Sequence, residues 1–178
     1  MEPRIFIIPS DFGCMALLNP DTYQSFLDEE FSCEALMERC VEQNAERTIV
    51  AWGCAYGNWR IEVRSTPCPA PGISSFRTAI TTGGRLVFSN YEELIDAAMN
   101  QDATYPFAES ENWTLSLPAG TYEVTVTRHF TRATAESPEV SDQTGPHYTI
   151  ALIPTENPTS EVDWFPWAPT NDEDDDDV

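Results

Sequence analysis

The stretch Trp113-Thr-Leu-Ser-Leu117, Pro118-Ala-Gly120, Thr121-Tyr-Glu-Val-Thr-Val-Thr-Arg-His-Phe130 leaves the chain little conformational choice. In an extended backbone Tyr122, Val124, Val126 and Arg128 fall on one face, and Thr121, Glu123, Thr125 and Thr127 on the other. That period of two predicts a half-buried strand, and β-branched and aromatic residues suit a pleated surface. Residues 59–64 repeat the pattern, with Trp59, Ile61 and Val63 opposite Arg60, Glu62 and Arg64. Residues 4–9, 47–52, 73–81, 85–89 and 147–153 are further strand-like runs. Gly83-Gly84, between two of them, predicts a hairpin. A sheet with one apolar face must bury it against a second layer. Short strands separated by turn signals predict an antiparallel β-sandwich of about seven strands.

Two segments after the first strand read as helical, which makes the fold class α+β. Asn19-Pro20 has the form of a helix start, with Asn as N-cap and Pro at the first helical position, and predicts a helix ending near Glu30. Ser32 can cap a second helix over 33–44, where Cys33, Leu36, Met37, Cys40 and Val41 share one arc. Glu34, Glu38, Glu42 and Glu46 occupy the opposite side. Asn90 can cap a short helix over 91–99. Residues 1–153 are expected to form this single domain, and 154–178 an extended acidic tail holding one aromatic cluster, Trp164-Phe-Pro-Trp167. That cluster either docks a partner or folds back over an open end of the sheet, since exposing two Trp and a Phe is unfavourable.

Charge bounds the partner class. The chain has nine arginines, no lysine and 30 acids, a formal charge of −21 on 178 residues. The last eight residues hold six of the acids, and the remaining 24 against nine arginines still leave −15. Such a surface repels nucleic acid and anionic membrane and attracts basic proteins. Phosphate binding needs clustered Lys or Arg, and these arginines are scattered. No apolar run approaches a membrane span, and no secretory leader is read at the start. Five cysteines, odd in number and without a CxxC pair, read as reduced thiols in a cytoplasmic protein.

Catalytic and metal signatures are missing from the sequence. It carries no HExxH, no paired Cys/His spacing and no EF-hand loop, so neither metal nor cofactor is expected. An enzyme would need Cys54 or Cys14 brought to His129 or His147 as a Cys/His hydrolase pair. The glutamate row is the better candidate. Four residues along a helix advance about 6 Å, a scale comparable to a nucleic-acid backbone, so carboxylates at that spacing can occupy a nucleic-acid cleft. The expected partner is a basic protein such as a nuclease or toxin. Glu34, Glu38, Glu42 and Glu46 are the first contacts, with Asp28, Glu29 and Glu30, and Trp164, Phe165 and Trp167, as the second set. An ordinary solvent face, an acidic proteome or an acidic accessory domain would produce the same row.

Leu117, Pro118, Gly120 and Tyr122 form an LPxGxY turn into a long strand. This hairpin resembles that of small bacterial β-sandwich inhibitors of the competence protein J family. The resemblance spans about ten residues in detail and 47–153 in outline. It implies an antiparallel sandwich and an inhibitor or immunity role, and it transfers no functional residue.

Residues 171–178 have like charges and no apolar anchor, so nothing offsets the entropy of ordering them. Deleting them should leave the melting temperature unchanged. A drop of several degrees in a calorimetric scan would show the run to be docked.

Overall fold

The computed structural model describes residues 2–10, 13–28, 30–108, 110–130, 145–159, 162 and 164–167. Glu29 and the acidic run at 171–178 lie outside the described residues. The strands are β1 (Arg4–Ser10), β2 (Gly13–Leu18), β3 (Ile49–Cys54), β4 (Gly57–Arg64), β5 (Ser74–Thr82), β6 (Arg85–Asn90), β7 (Thr114–Ser116), β8 (Gly120–Arg128) and β9 (Tyr148–Pro154). The α-helices are α1 (Cys33–Ala45) and α2 (Tyr91–Met99). The fold is α+β and rich in sheet.

Five strands form one sheet, in the order β1-β4-β9-β8-β5, and four form the other, β3-β2-β6-β7. Alternation decides what each face meets. On β4 and β8 the apolar set Trp59, Ile61, Val63, Tyr122, Val124 and Val126 joins Met15, Leu17, Val50, Trp52, Leu86 and Phe88 of the smaller sheet in one apolar cluster. The remaining residues of the smaller sheet, among them Cys14, Ala16, Leu18, Ile49, Ala51 and Val87, pack with Leu36 and Cys40 of α1 and Leu94, Ala97 and Ala98 of α2. Helices therefore cover the outer face of the four-stranded sheet. Each fully buried large side chain contributes about 1.5–3 kcal/mol, and Trp52, Trp59, Tyr148 and Phe88 lead that set.

Several expectations are corrected. The described residues hold nine strands, and the helical segment follows the second strand instead of the first. The strand missing from the sequence reading is β2, whose six residues are all buried. It pairs with β3 on one side and β6 on the other. With apolar cover on both faces it needs no polar alternation, so a period of two never shows.

The sheets are also not purely antiparallel, because β9 runs antiparallel to β8 but parallel to β4. The Gly83-Gly84 turn does not close a hairpin. β5 pairs with β8, while β6 pairs with β2 and β7 in the other sheet. The turn carries the chain between sheets, with Thr82 Oγ1 donating to the Arg85 carbonyl and accepting from Gly84 N–H. β7 and β8 likewise lie in different sheets.

No helix starts at Asn19. Its side chain accepts from Asp21 N–H and its carbonyl from Thr22 and Tyr23 N–H, which makes a turn. The chain is then drawn onto its neighbours. Gln24 N–H donates to Gln43 Oε1, and Leu27 N–H to the Ala98 carbonyl. Tyr23, Leu27 and Phe31 pack on the helical layer.

The aromatic cluster is split. β3 and β5 are edge strands of different sheets, and residues 166–167 bridge them. Gly53 N–H donates to the Pro166 carbonyl and Trp167 Nε1 to Ser74 Oγ. Trp167 meets the Phe76 ring edge-on at 5.1 Å and lies under the Arg128 guanidinium at 4.8 Å. Phe165 is buried in the helical layer, while Trp164 is 51% exposed.

Phe165→Ala should therefore lower stability by about 3 kcal/mol, and Trp164→Ala by less than about 0.5 kcal/mol. Urea denaturation of the two variants measures the difference, and equal losses would contradict this division of the cluster.

Candidate functional site

The site is built on α1. Ser32 Oγ accepts from Ala35 N–H at 3.1 Å and fixes the start of the helix. Leu36 and Cys40 anchor it to the sheet, and two buried amides pin its end. Asn44 Nδ2 donates to the Ile49 carbonyl at 3.0 Å, and Thr78 Oγ1 donates to Asn44 Oδ1 at 2.9 Å. Gln43 Oε1 accepts from Thr48 Oγ1 and Gln24 N–H. With that face committed to the core, Glu34, Glu38 and Glu42 point outward, and all three are exposed.

Glu46, also exposed, is the C-cap residue just past the helix. Its carboxylate accepts from Gln43 Nε2 at 2.7 Å, and Glu42 sits 3.7 Å from Arg39. The row is thus three helical carboxylates and one at the cap, with two of the four engaged by their own chain. Asp28 and Glu30 are exposed on the segment leading into α1. Trp164 lines a small recess with Cys40, Val41 and Asn44 of α1, which places its exposed ring beside the helix. Phe165 and Trp167 are taken up by the core.

The last turn of α1 contains no basic residue. The carboxylates of Glu42 and Glu46 stand where the helix dipole favours a cation, an unfavourable arrangement of a few tenths of a kcal/mol each. Folding alone does not ask for this pattern.

The thiol and imidazole pairs named from the sequence go elsewhere. Cys54 Sγ lies 3.5 Å from Ser10 Oγ, and Cys14 faces the helical layer. His147 Nδ1 accepts from Arg60 N–H at 2.9 Å, with its ring edge-on to Trp59. A pair that the sequence did not suggest does form. Cys68 Sγ is 4.0 Å from His129 Nε2, which is also 2.9 Å from Thr149 Oγ1. One ring nitrogen offers one hydrogen or one lone pair. The shorter contact with Thr149 occupies it, so His129 in this arrangement is not a base for Cys68. Among the described residues no group of three or more potential metal ligands converges. No helix among them is long and apolar enough to cross a membrane.

All five cysteines carry free thiols. Burial pushes the Cys40 and Cys54 thiols up to about 12, partly offset by hydrogen bonding with Tyr23 and Ser10 respectively, and lifts Cys14 well above its ordinary value. Cys33 is exposed at the start of α1, 3.1 Å from Tyr91 Oη.

No protein-family model matches the chain, and no curated protein matches it in sequence. Two solved structures match in fold. One, titled "Crocagin biosynthetic gene J", is 15% identical with a TM-score of 0.57, over 86% of this chain and 99% of that one. The other is ComJ from Bacillus subtilis, titled an inhibitor of the DNA degrading activity of NucA. It is 12% identical with a TM-score of 0.49, over 87% and 96% of the two chains. ComJ, whose family residues 115–124 resemble in sequence, is thus among the solved structures to which this chain is similar.

The raised thiols set an alkaline limit. Stability from Cys40 and Cys54 is complete below the ordinary thiol value of 9.0 and is lost as pH rises towards about 12, because only the unfolded chain ionises freely in that window, and the raised Cys14 thiol acts in the same direction. Under reducing conditions the urea midpoint should fall steadily from about pH 9 upward, and Cys40→Ala should flatten the decline. A midpoint constant to pH 11 would contradict the burial of these groups.

Proposed function

We propose that this chain is a binding protein that neutralises a basic protein partner, a nuclease or other toxin, by occupying its substrate cleft with the acidic face of α1. The observation that carries this reading is the exposure of Glu34, Glu38 and Glu42 on a helix whose opposite face is locked into the core, with Glu46 exposed at its C-cap. A rigidly held row of carboxylates keeps its spacing when a partner arrives, so little ordering entropy is lost on binding. Asp28 and Glu30, with Glu29 between them in sequence, extend the negative field. Trp164 supplies an exposed aromatic anchor at the flank of the helix, the residue type favoured at the centre of interfaces.

In this reading the protein is not an enzyme, needs no cofactor, and works in the reducing cytoplasm, in keeping with its free thiols. Its chemistry is complementarity of charge, which acts chiefly on the association rate.

The test replaces Glu34, Glu38, Glu42 and Glu46 together by Gln. Length and helix propensity are retained, and removal of repulsion between i,i+4 carboxylates should leave the fold unharmed or slightly more stable. Association with a confirmed basic partner should slow by roughly ten-fold or more at low salt, and the deficit should shrink as ionic strength rises. Unchanged association kinetics at low salt would remove α1 from the mechanism and favour the second reading, an acidic accessory domain. The intramolecular partners of Glu42 and Glu46 are what such a domain would also show.

A further inference from the structure

The acidic-face reading makes no use of β1, the edge strand at the other end of the five-stranded sheet from β5. Its burial alternates. Phe6, Ile8 and Ser10 turn into the sandwich, while Ile5 and Ile7 stand on the outer face, 54% and 55% exposed. Two isoleucines side by side on an open edge are what soluble proteins ordinarily avoid.

The direction of the backbone groups follows from their neighbours. In a strand the N–H and C=O of one residue point to the same side, and those of the next residue to the other. The Arg60 carbonyl accepts from His147 N–H, and Arg60 N–H donates to His147 Nδ1, so Arg60 faces β9. Trp59, Ile61 and Val63 therefore face β1, where they meet Ile8, Phe6 and Arg4. Ile5, Ile7 and Pro9 are left facing away from the sheet. Pro9 confirms this, because its carbonyl accepts from Asn90 Nδ2 of the other sheet at 3.0 Å. Each of Ile5 and Ile7 thus presents an N–H and a C=O along the edge, and Pro3 and Pro9 flank them with no N–H to offer.

We propose that this edge pairs with β1 of a second copy of the chain, antiparallel about a two-fold axis at Phe6. Ile5 then lies opposite Ile7 of the second copy, and Ile7 opposite its Ile5. All four isoleucine N–H groups find isoleucine carbonyls, and the four side chains gather on the outer face. A shift of two residues either way sets Ile5 against Pro9 or Ile7 against Pro3 and loses donors, so the prolines fix one register. A two-fold contact requires a surface complementary to itself, and a strip bounded by prolines at both ends has that property. Charge permits the approach. Beside the seam β4 carries Arg60 and Arg64 against Glu62, while α1 covers the other sheet and remains free for a partner. The contact is a single short strand, smaller than the ~1,200 Å² of a stable interface, so the dimer should dissociate at about 10–100 μM.

Sedimentation velocity from roughly 5 to 500 μM spans that range. The mass should rise from 20.0 kDa towards twice that value. Hydrogen exchange locates the contact in the same samples. Phe6 and Ile8 amides, bonded to β4, should be protected throughout, and Ile5 and Ile7 amides should slow by about three-fold or more only at the high concentration. The double variant Ile5→Lys, Ile7→Lys, checked for an unchanged melting temperature, should remain monomeric. If it unfolds, exchange on the unaltered protein decides the matter. A mass of 20.0 kDa at every concentration would overturn the proposal. So would a dimer whose Ile5 and Ile7 amides exchange freely, a folded lysine variant that still dimerises, or protection of both amides at every concentration, which would set a segment of the same chain on the edge.

Discussion

A strand buried on both faces needs cover on both faces, and β2 imposes that demand on the rest of the structure. Met15 and Leu17 face the large sheet, while Cys14, Ala16 and Leu18 face the other way. The five-stranded sheet meets the first need. α1 and α2 meet the second, because an exposed apolar face on the four-stranded sheet would forfeit several side chains' worth of burial at about 1.5–3 kcal/mol each. Once α1 is held there by Leu36, Cys40, Gln43 and Asn44, its remaining face can only point to solvent. The acidic row is therefore positioned by the packing of a strand that contributes nothing to it chemically.

Legibility in the sequence follows from how local each signal is. The strands with one polar face, β4 and β8, announce themselves through alternation, and the caps at Ser32 and Asn90 accept from Ala35 and Glu93 N–H as their positions predict. β2 was invisible because burial on both sides erases the period. Gly83-Gly84 correctly marks a turn, but a turn does not say whether the next strand stays in the sheet. Asn19-Pro20 starts a turn in both helix and loop, and only partners far along the chain, Gln43 and Ala98, decide between them. The exposure of Glu34, Glu38, Glu42 and Glu46 was readable from helical spacing. The contact of Cys68 with His129 was not, since it joins residues 61 apart in the chain.

The aromatic cluster shows the same limit from the other direction. Trp164, Phe165 and Trp167 are near neighbours in sequence, yet one is exposed beside α1, one is buried under it, and one bridges β3 and β5. Trp167 adopts a positive φ of 53°, a left-handed conformation that is disfavoured for such a residue and is held here by packing against Phe76, Tyr148 and Arg128. Two sheets joined face to face leave an open side between their edge strands, and unpaired edges are a liability. A short segment spanning β3 and β5 closes that side.

Distribution of charge says more than its total. Acidity imposed uniformly on a proteome would spread acids over every face. On the outer face of the five-stranded sheet the strands carry Arg60, Arg64 and Arg77 against Glu62 and Glu123, a slight positive balance on a chain at −21. The segment from Asp28 to Arg47 sets Asp28, Glu29, Glu30, Glu34, Glu38, Glu42 and Glu46 against Arg39 and Arg47. Among the described residues the helical side is thus the more acidic of the two, and an uneven charge distribution orients an approaching charged protein as well as attracting or repelling it. The acids at the C-terminal end of α1 oppose the helix dipole, and such a placement is retained more readily where the outward field has a use than where only solubility is at stake.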